Sequence, residues 1–291
     1  MRKVKPNPLN PERFFISNKT KRMNINKHIA VASPPSPPFW GAKVIDLPLA
    51  RLFDHLNLPA LYRIGWGAGR ASGEKWARYQ ADFSTRLSKM KQSFLNDKSL
   101  LPQAAYGYWQ CASEDGAILI FPDPGRKDSN TLRLPVPRQS FPPYRSLSDY
   151  FLPQGDHQGD VIALQVVTMG AAAIEYIQYL KQQQDTVEVF FAHGLLTQLT
   201  EAAAIATLAT IREELSIDSV RGKRYSWGYE PIPDLSQQVS IMRLLDPPNN
   251  LRIFFTSAYQ FIPEYTTAAL FIHHPEAAYF RITQEEPYDQ E

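Results

Sequence analysis

The run from Arg224 to Tyr229, Arg-Tyr-Ser-Trp-Gly-Tyr, contains residue types that bind a ligand bearing both a carboxylate and a flat ring. A guanidinium binds a carboxylate through two parallel hydrogen bonds, Gly228 permits close approach to the backbone, and Tyr229 offers a ring face for stacking. Residues 230–233 (Glu-Pro-Ile-Pro) follow, so we predict that the run is an ordered loop. On composition alone, a surface turn without a ligand remains the alternative.

Glu201 is the second candidate, because it lies among small apolar residues, Leu199 and several alanines, in a predicted helix. The residues nearest to it at helical spacing carry no positive charge. Such a carboxylate either faces solvent or is partly buried beside a partner from elsewhere in the chain. Both interpretations stay open, although the alanines would let a ligand or another backbone come close.

The adjacent His273 and His274 do not indicate a metal site. Neighbouring residues of a strand point to opposite faces, so the pair cannot hold one ion without a bend. The single cysteine, Cys111, excludes an internal disulfide and any multi-cysteine zinc or iron–sulfur site. The sequence also contains no phosphate-binding loop, no nucleophile elbow and no convincing nucleophile–base pair. We therefore predict neither a metal site nor a catalytic residue.

Composition and charge exclude further classes of protein. Of the 291 residues, 44% are apolar, and the net charge is +2. Residues 1–27 carry eight basic residues against Glu12 alone, so the basic character belongs to the N-terminus and not to a folded nucleic-acid-binding face. No apolar run approaches the roughly 20 residues that span a bilayer, and the N-terminus lacks the apolar core of a signal peptide. We expect a cytoplasmic protein without nucleic-acid or membrane partners.

Periodicity predicts the elements that must position these residues. Helical spacing occurs over residues 49–56, 74–95, the segment after Gly170, and 189–215, with a possible break near Gly194. Residues 104–121 indicate a hairpin that turns at 115–116, and residues 65–69 a glycine-rich loop or bulge. The remaining predicted strands are 132–135 at a sheet edge, 161–168, 251–255, 259–262, 266–272 and 279–282. Hairpins with separate helices favour an α+β fold.

The predicted domain organisation is simple. Residues 1–37 are a basic, Pro-rich tail or linker, which includes the polyproline-like run 33–38. Residues 38–284 form one domain, and residues 285–291 form an acidic tail.

Several segments, in order, resemble the activation domain of cobalamin-dependent methionine synthase, and together they span nearly all of residues 38–282. The segments are Pro38-Phe39-Trp40-Gly41 through Leu58-Pro59-Ala60-Leu61, Leu101-Pro102 through Phe121, Leu147-Ser148-Asp149-Tyr150-Phe151, Val161 to Gly170, Glu201 to Tyr229, Pro233 to Leu245, and His274-Pro275-Glu276-Ala277-Ala278-Tyr279-Phe280. In that setting, the pattern Arg-x-x-x-Gly-Tyr followed by a Pro-containing stretch is distinctive.

The resemblance implies a fold and a ligand. The fold would be a C-shaped α+β domain with a twisted antiparallel sheet and flanking helices, and the ligand S-adenosylmethionine. The positions that match ligand-contacting residues of the family are Asn57, Glu201, Asp218, Arg224, Gly228, Tyr229 and Tyr279. By this resemblance, Arg224 would bind the ligand carboxylate, the backbone near Gly228 the adenine, and Tyr229 and Tyr279 the ring and sulfonium.

Two of these positions differ from the family. Asp218 stands where the family has a glutamate and keeps the charge, whereas Asn57 stands where the family has an aspartate. An amide can still accept a hydrogen bond from the ligand ammonium, but a charge-assisted hydrogen bond is about twice as strong. Glu201 and Asp218 would then supply the negative field around the ligand cations.

The resemblance also implies a role. The chain would support reductive methylation of cob(II)alamin on the cobalamin domain of a methionine synthase that lacks this module, with a flavodoxin-type electron donor. Cobalamin would be carried by the partner, so the chain would contribute to methyltransferase activity only in its company. The alternative is a non-catalytic protein, either a sensor of S-adenosylmethionine or a domain that shields a corrinoid.

Overall fold

The computed structural model describes residues 29–30, 32–123, 130–155, 159–246 and 248–284. The predicted acidic tail, 285–291, and most of the predicted N-terminal tail, residues 1–28 and 31, lie outside this part of the chain. Ile29 packs against a buried core, and the Ala30 carbonyl lies 2.7 Å from Nε2 of His274. Contacts with the domain therefore reach two residues of the segment that we predicted to be a tail.

The described residues form a seven-stranded antiparallel sheet. Its strands are β1 Gly41–Asp46, β2 Gln103–Glu114, β3 Ala117–Phe121, β4 Leu132–Pro135, β5 Asp160–Thr168, β6 Lys223–Ser226 and β9 Thr266–Ile272. The strand order is β4-β3-β2-β5-β9-β6, and β1 also pairs with β2. The long β2 pairs with β1 along its first half and with β3 along its second half. A separate two-stranded ribbon joins β7 Phe254–Phe255 to β8 Phe261–Ile262.

Six α-helices accompany the sheet in the described chain: α1 Leu49–Asp54, α2 Leu58–Ala60, α3 Gly73–Asp97, α4 Ala171–Gln182, α5 Thr186–Glu214 and α6 Gln237–Leu245. A π-helical turn, Leu61–Gly65, follows α2, and a 3-10 turn, Leu147–Tyr150, precedes β5. Helices α1, α3, α4 and α5 share one apolar core with residues of β2 and β5. Residues of α6 share a second core with Trp109, Ile162 and Leu270 of the sheet. This arrangement confirms the predicted α+β class with an antiparallel sheet.

Helix α5 is long and apolar enough, by length and composition alone, to cross a membrane, with a mean hydropathy of 1.3 over 18 residues. In the domain 61% of that stretch is buried. Burial against α1, α4, the π-helical turn and strands β2, β5 and β9 accounts for its apolar composition.

The predicted break of this helix near Gly194 is wrong, because α5 is continuous from Thr186 to Glu214. Gly194 instead serves close packing. A Cβ on this residue would lie 2.7 Å from the Gly65 carbonyl oxygen and 2.8 Å from Cδ1 of Trp66. The glycine thus lets the π-helical turn approach the helix, and the Trp66 indole donates to the Phe191 carbonyl at 2.9 Å.

Two further predictions are corrected. Residues 224–226 belong to strand β6 and not to a loop, because Arg224 and Ser226 pair with Phe271 and Ala269 of β9. Residues 279–282 form no strand; the Arg281 carbonyl and both backbone groups of Ile282 are hydrogen-bonded to residues of neighbouring loops instead. Strand β1 and helix α6 were not predicted, whereas α1, α3, α4, the β2–β3 hairpin, the edge strand β4, β5 and β9 are confirmed to within a few residues.

Candidate functional site

A cleft of about 510 Å³ opens at the β6 edge of the sheet. Its walls come from α5, β6, the turn after β6, β9 and the 278–282 segment. The lining residues are Glu201, Arg224, Tyr225, Ser226, Trp227, Tyr229, Glu230, Pro231, Ile232, Thr267, Tyr279 and Phe280. Four of the seven residues predicted from the sequence, Glu201, Arg224, Tyr229 and Tyr279, therefore meet at one place.

Strand register brings the charged residues of the cleft together. Arg224 and Ser226 are two residues apart on β6, so their side chains share a face of the sheet. Arg224 pairs with Phe271, whose ring packs with the C-terminal turns of α5. Arg224 thus projects toward the helix that carries Glu201, and the two residues meet although 23 positions separate them in the chain.

Glu201 and Arg224 form an ion pair, with Nη2 of Arg224 2.6 Å from Oε2 of Glu201. Glu201 has no cationic neighbour on its own helix, and its partner comes from β6. Of the two interpretations of Glu201, the partly buried carboxylate with a partner from elsewhere in the chain is therefore the one observed. The Arg224 side chain is 16% exposed and the Glu201 side chain 42% exposed, so the carboxylate faces the cleft.

The second terminal nitrogen of the guanidinium is incompletely satisfied. Nη1 of Arg224 is buried and has no hydrogen-bond partner among the described residues. A buried donor without an acceptor costs about 1–3 kcal/mol. An oxygen acceptor that reached Nη1 would remove that cost. Because Nη1 has almost no accessible surface, this requires the guanidinium to turn toward the cleft that Arg224 lines.

The turn after β6 is tightly fixed. Gly228 has a φ of +90°, which favours glycine, and its N–H donates to the Ile232 carbonyl at 3.0 Å. The buried Trp227 donates its indole N–H to Gln237 of α6 at 3.1 Å. Gly228 itself adjoins the cleft without lining it. The turn presents Tyr229 at the rim, where its ring is 70% exposed.

The 278–282 segment forms the facing wall. The Tyr225 hydroxyl donates to the Ala278 carbonyl at 2.8 Å, and burial raises the pKa of Tyr225 far above its ordinary value, so this donor keeps its proton. The rings of Tyr225 and Tyr279 meet edge to face with centroids 5.5 Å apart. Tyr279 remains 67% exposed, so the cleft has an aromatic ring at each side of its mouth.

The other two predicted residues lie outside the residues that line the cleft. Asn57 is exposed and caps α2, because its Oδ1 accepts a hydrogen bond from the Ala60 N–H at 3.1 Å. Asp218 is exposed in the turn after α5, where its carbonyl accepts from the Arg221 N–H at 3.0 Å. The structure therefore gives each of them a local role and does not bring them to the cleft.

Several lining residues were not singled out from the sequence. Glu230, Thr267 and Phe280 lie in segments that were noted only as a loop, a strand and part of the resemblance. A signal existed for Glu230, an acid beside Tyr229 in a Pro-flanked turn. No sequence signal pointed to Thr267, which reaches the cleft because β9 extends beyond the end of β6.

The two adjacent histidines have hydrogen-bonded roles. Nε2 of His273 lies 2.7 Å from Oδ1 of the buried Asp160, and His274 contacts the Ala30 carbonyl and the Glu276 N–H. Within the described ranges, no three His, Cys, Asp or Glu side chains converge as metal ligands would.

The chain is similar to known proteins over most of its length. Residues 77–290 match the family described as vitamin B12 dependent methionine synthase, activation domain. The methionine synthase of Mycobacterium leprae (strain TN) is 29% identical over 277 residues, and that of Mycobacterium tuberculosis (strain ATCC 25618 / H37Rv) is 28% identical. Both alignments cover 85% of this chain and 23% of the relative, so the chain spans less than a quarter of their length.

The fold has a counterpart among solved structures. The MetH reactivation domain bound to AdoHcy superposes with a TM-score of 0.76 over 87% of this chain and 85% of that chain, at 19% identity. This match confirms the predicted architecture, and the family match covers most of the chain. The chain therefore belongs to the family of vitamin B12-dependent methionine synthase activation domains.

Proposed function

We propose that the cleft binds S-adenosylmethionine and that the domain thereby supports reactivation of a cobalamin-dependent methionine synthase. The observation that carries the proposal is the buried Nη1 of Arg224, which has no partner in the described chain and lies beside the half-exposed carboxylate of Glu201. An amino acid end placed here would offer its carboxylate to Arg224 and its ammonium to Glu201.

The charges of the cleft agree with such a ligand. Among its lining residues, Glu201 and Glu230 are acidic and Arg224 is basic, which leaves one negative charge in excess. S-adenosylmethionine carries a sulfonium, an ammonium and a carboxylate, and therefore one positive charge in excess. Charges of opposite sign in a partly enclosed cleft favour binding.

The aromatic rim suits the rest of the ligand. Tyr229 and Tyr279 offer exposed ring faces for a stacked adenine, and a tyrosine face also attracts a sulfonium cation. The Gly228 N–H is already bonded to the Ile232 carbonyl, so a backbone contact to adenine from Gly228 would use its carbonyl oxygen. Asn57 and Asp218 would act, if at all, from outside the cleft lining.

The proposed reaction needs one electron and one methyl group. A flavodoxin-type donor would reduce the cob(II)alamin of the partner domain, and the reduced cobalt would take the methyl group of S-adenosylmethionine, which leaves as S-adenosylhomocysteine. The C–S bond breaks with its electron pair on sulfur, so no proton transfer is required of this chain. Its residues would hold and orient the methyl donor, S-adenosylmethionine.

Calorimetric titration with S-adenosylmethionine tests the binding step. We expect Arg224→Ala to weaken binding at least tenfold, because a hydrogen-bonded ion pair with the ligand carboxylate contributes about 1.5–3 kcal/mol. Arg224→Lys keeps the positive charge but loses the paired donors of the guanidinium, so its affinity should lie between those of wild type and Arg224→Ala. Arg133→Ala, which breaks an exposed ion pair with Glu114 on another part of the sheet, is the matched control and should bind like wild type.

Circular dichroism of each variant must match wild type for the comparison to count. A wild-type chain that binds no S-adenosylmethionine, or an Arg224→Ala chain that binds it unchanged, would contradict the proposal.

The catalytic part is tested with a cobalamin domain, a reductant and S-adenosylmethionine labelled in its methyl group. Transfer of label to cobalt supports reactivation, whereas binding without transfer favours the sensor or shielding role.

A further inference from the structure

The 278–282 segment lines the cleft without belonging to a helix or strand. Its position therefore depends on individual hydrogen bonds and not on a ladder of strand pairing. The segment carries Tyr279 and Phe280 toward the cleft, while its backbone is tied at Ala278, Arg281 and Ile282. The exact placement of one aromatic wall thus follows from a few identifiable hydrogen bonds.

Two of these ties anchor the segment to the body of the domain. Buried Gln139 donates from Nε2 to the Arg281 carbonyl at 2.7 Å, and the Ser140 N–H donates to the Ile282 carbonyl at 3.1 Å. Gln139 is itself held by the Arg145 N–H at its Oε1. The segment therefore stays in place independently of the turn that faces it.

A third tie joins the segment to that turn. The Ile282 N–H donates to Oε2 of Glu230 at 2.7 Å, and Glu230 directly follows Tyr229. This hydrogen bond connects the turn bearing Tyr229 to the segment bearing Tyr279. Because the segment is anchored elsewhere, loss of the Glu230 carboxylate would remove the direct link between Glu230 and the segment. The hydrogen bonds within the turn, from Gly228 N–H to the Ile232 carbonyl and from Ile232 N–H to the Tyr229 carbonyl, would remain, so we expect a shift of the Tyr229 ring and not unfolding of the turn.

We propose that Glu230 is a positioning residue that fixes the separation of the Tyr229 and Tyr279 rings, and thereby the affinity of the cleft for the adenosine part of its ligand. The proposal rests on the proposed function. Glu230 acts through its acceptor oxygen and the Ile282 N–H, and its negative charge is secondary.

Two ligands separate the ring end from the amino acid end. S-adenosylmethionine has both ends, whereas 5′-methylthioadenosine has the adenosine part and no amino acid. Loss of ring positioning weakens both ligands by the same factor. Loss of a contact to the amino acid end weakens S-adenosylmethionine alone, and Arg224→Lys supplies that comparison.

Three variants then distinguish the effect of the Glu230 acceptor oxygen from the effect of its negative charge. Glu230→Ala removes both, and we expect about a three- to tenfold loss of affinity for both ligands, since an ordered aromatic contact contributes about 0.5–1.5 kcal/mol. Glu230→Gln keeps an acceptor oxygen for the Ile282 N–H and should bind the uncharged 5′-methylthioadenosine within about twofold of wild type. Glu175→Ala removes an exposed carboxylate of α4 that lines neither this cleft nor the cavity beside the β7–β8 ribbon, and should change nothing.

Amide hydrogen exchange at Ile282 supplies a readout without ligand. We expect faster exchange in Glu230→Ala and wild-type protection in Glu230→Gln. The proposal is overturned if Glu230→Ala binds both ligands like wild type, if Glu230→Gln loses as much affinity as Glu230→Ala, or if only S-adenosylmethionine weakens. A wild-type chain that binds neither ligand overturns the proposed function and this role with it, whereas normal wild-type binding with an unaffected alanine variant overturns the role of Glu230 alone.

Discussion

At the scale of single residues, the ion pair of Glu201 and Arg224 decides what the cleft can bind. Nη2 of Arg224 donates to Glu201, whereas Nη1 is buried and has no hydrogen-bond partner in the described chain. The glutamate is half exposed, so it keeps its charge available to a cation. The pair therefore presents a donor and an anion side by side, which matches the two charged groups of an amino acid.

The charge of Glu201 can be tested by comparing two ligands. S-adenosylhomocysteine lacks the sulfonium and carries no net charge, whereas S-adenosylmethionine carries one positive charge. We expect Glu201→Gln to weaken S-adenosylmethionine about three- to tenfold more than S-adenosylhomocysteine, because the lost interaction is electrostatic. Calorimetry with both ligands measures the ratio, and an equal loss for both would show that the charge of Glu201 does not sense the sulfonium.

Asn57 has a structural role that can be separated from ligand binding. Its side chain caps α2, and loss of a cap costs about 1 kcal/mol. We expect Asn57→Ala to lower the free energy of unfolding by about that amount and Asn57→Asp to leave it unchanged, because aspartate caps equally well. Urea unfolding gives both values; equal stability of the alanine variant would mean that the cap contributes nothing.

Tyr106 and Tyr108 both donate to the carboxylate of Glu214, at 3.0 and 2.6 Å. Burial, followed by this carboxylate, raises the pKa of Tyr106 to about 12 and also raises that of Tyr108. An unfolded tyrosine ionises near pH 10. The stabilisation is thus fully present below pH 10 and is lost as the pH rises toward 12, because the unfolded state releases its proton first.

We therefore expect the free energy of unfolding to fall between pH 10 and 12, by about 2 kcal/mol through Tyr106 alone. Tyr106→Phe should be less stable than wild type at pH 7 but lose less stability over this range. The exposed Tyr179→Phe serves as the control. Parallel pH profiles for wild type and Tyr106→Phe, measured in urea, would refute the linkage.

The residues of the cleft were only partly predictable from the sequence. Arginine, glycine and tyrosine in one run indicate a ligand site by residue type, the small apolar neighbours of Glu201 made it a candidate, and the resemblance supplied Tyr279. Spacing could not show that Arg224 pairs with Glu201, because that contact depends on the register of β6 on β9. The sequence also could not show that Asn57 and Asp218 lie outside the cleft lining, since residue type does not reveal which loop reaches which edge of the sheet.

At the scale of elements, local periodicity was a good guide where one face is buried. Helix α3 and the β2–β3 hairpin carry their pattern within the segment itself, and both were predicted. Strand β1 is mostly exposed and has no such pattern. It exists because β2 has Gly107 opposite it, where a Cβ would overlap the Gly41 carbonyl oxygen. Formation of β1 depends on pairing with β2, so the sequence of β1 alone does not predict a strand.

The contact between α5 and the π-helical turn gives a prediction at this scale. Gly194→Ala should raise helix propensity by about 1 kcal/mol, but the added methyl group meets the Gly65 carbonyl and the Trp66 ring. Overpacking of this kind costs about 1–3 kcal/mol. We expect a net loss of up to about 2 kcal/mol in the free energy of unfolding, measured with urea.

The matched control for this change is Ala209→Gly, at an exposed position of the same helix, which reports propensity alone. It should lower stability by about 1 kcal/mol. A Gly194→Ala chain that is more stable than wild type would mean that the turn and helix can separate without cost.

At the scale of the whole molecule, the sheet separates two cores, and the cleft lies at its β6 edge. The chain that forms the outer wall of the cleft begins directly after β9 and passes through His274, which is 2% exposed. His274 contacts Ala30, 244 residues earlier, so the start and the end of the described chain meet here. The stability of the cleft wall and that of the N-terminal contact are therefore linked through one histidine.

Truncation measures this link. A chain that starts at His28 keeps the contacts of Ile29 and Ala30, whereas a chain that starts at Pro34 loses the Ala30 carbonyl and leaves the buried His274 ring nitrogen without it. An unsatisfied buried polar group costs about 1–3 kcal/mol, so we expect the free energy of unfolding of the shorter chain, measured with urea, to be lower by at least that amount. Ile29→Ala in the longer chain isolates the apolar contribution of Ile29, and the remaining difference includes both hydrogen bonds of Ala30, from its carbonyl to His274 and from its N–H to Glu276. Equal stability of the two truncated chains would show that water replaces the carbonyl at no cost, and that the cleft wall stands without the N-terminal contact.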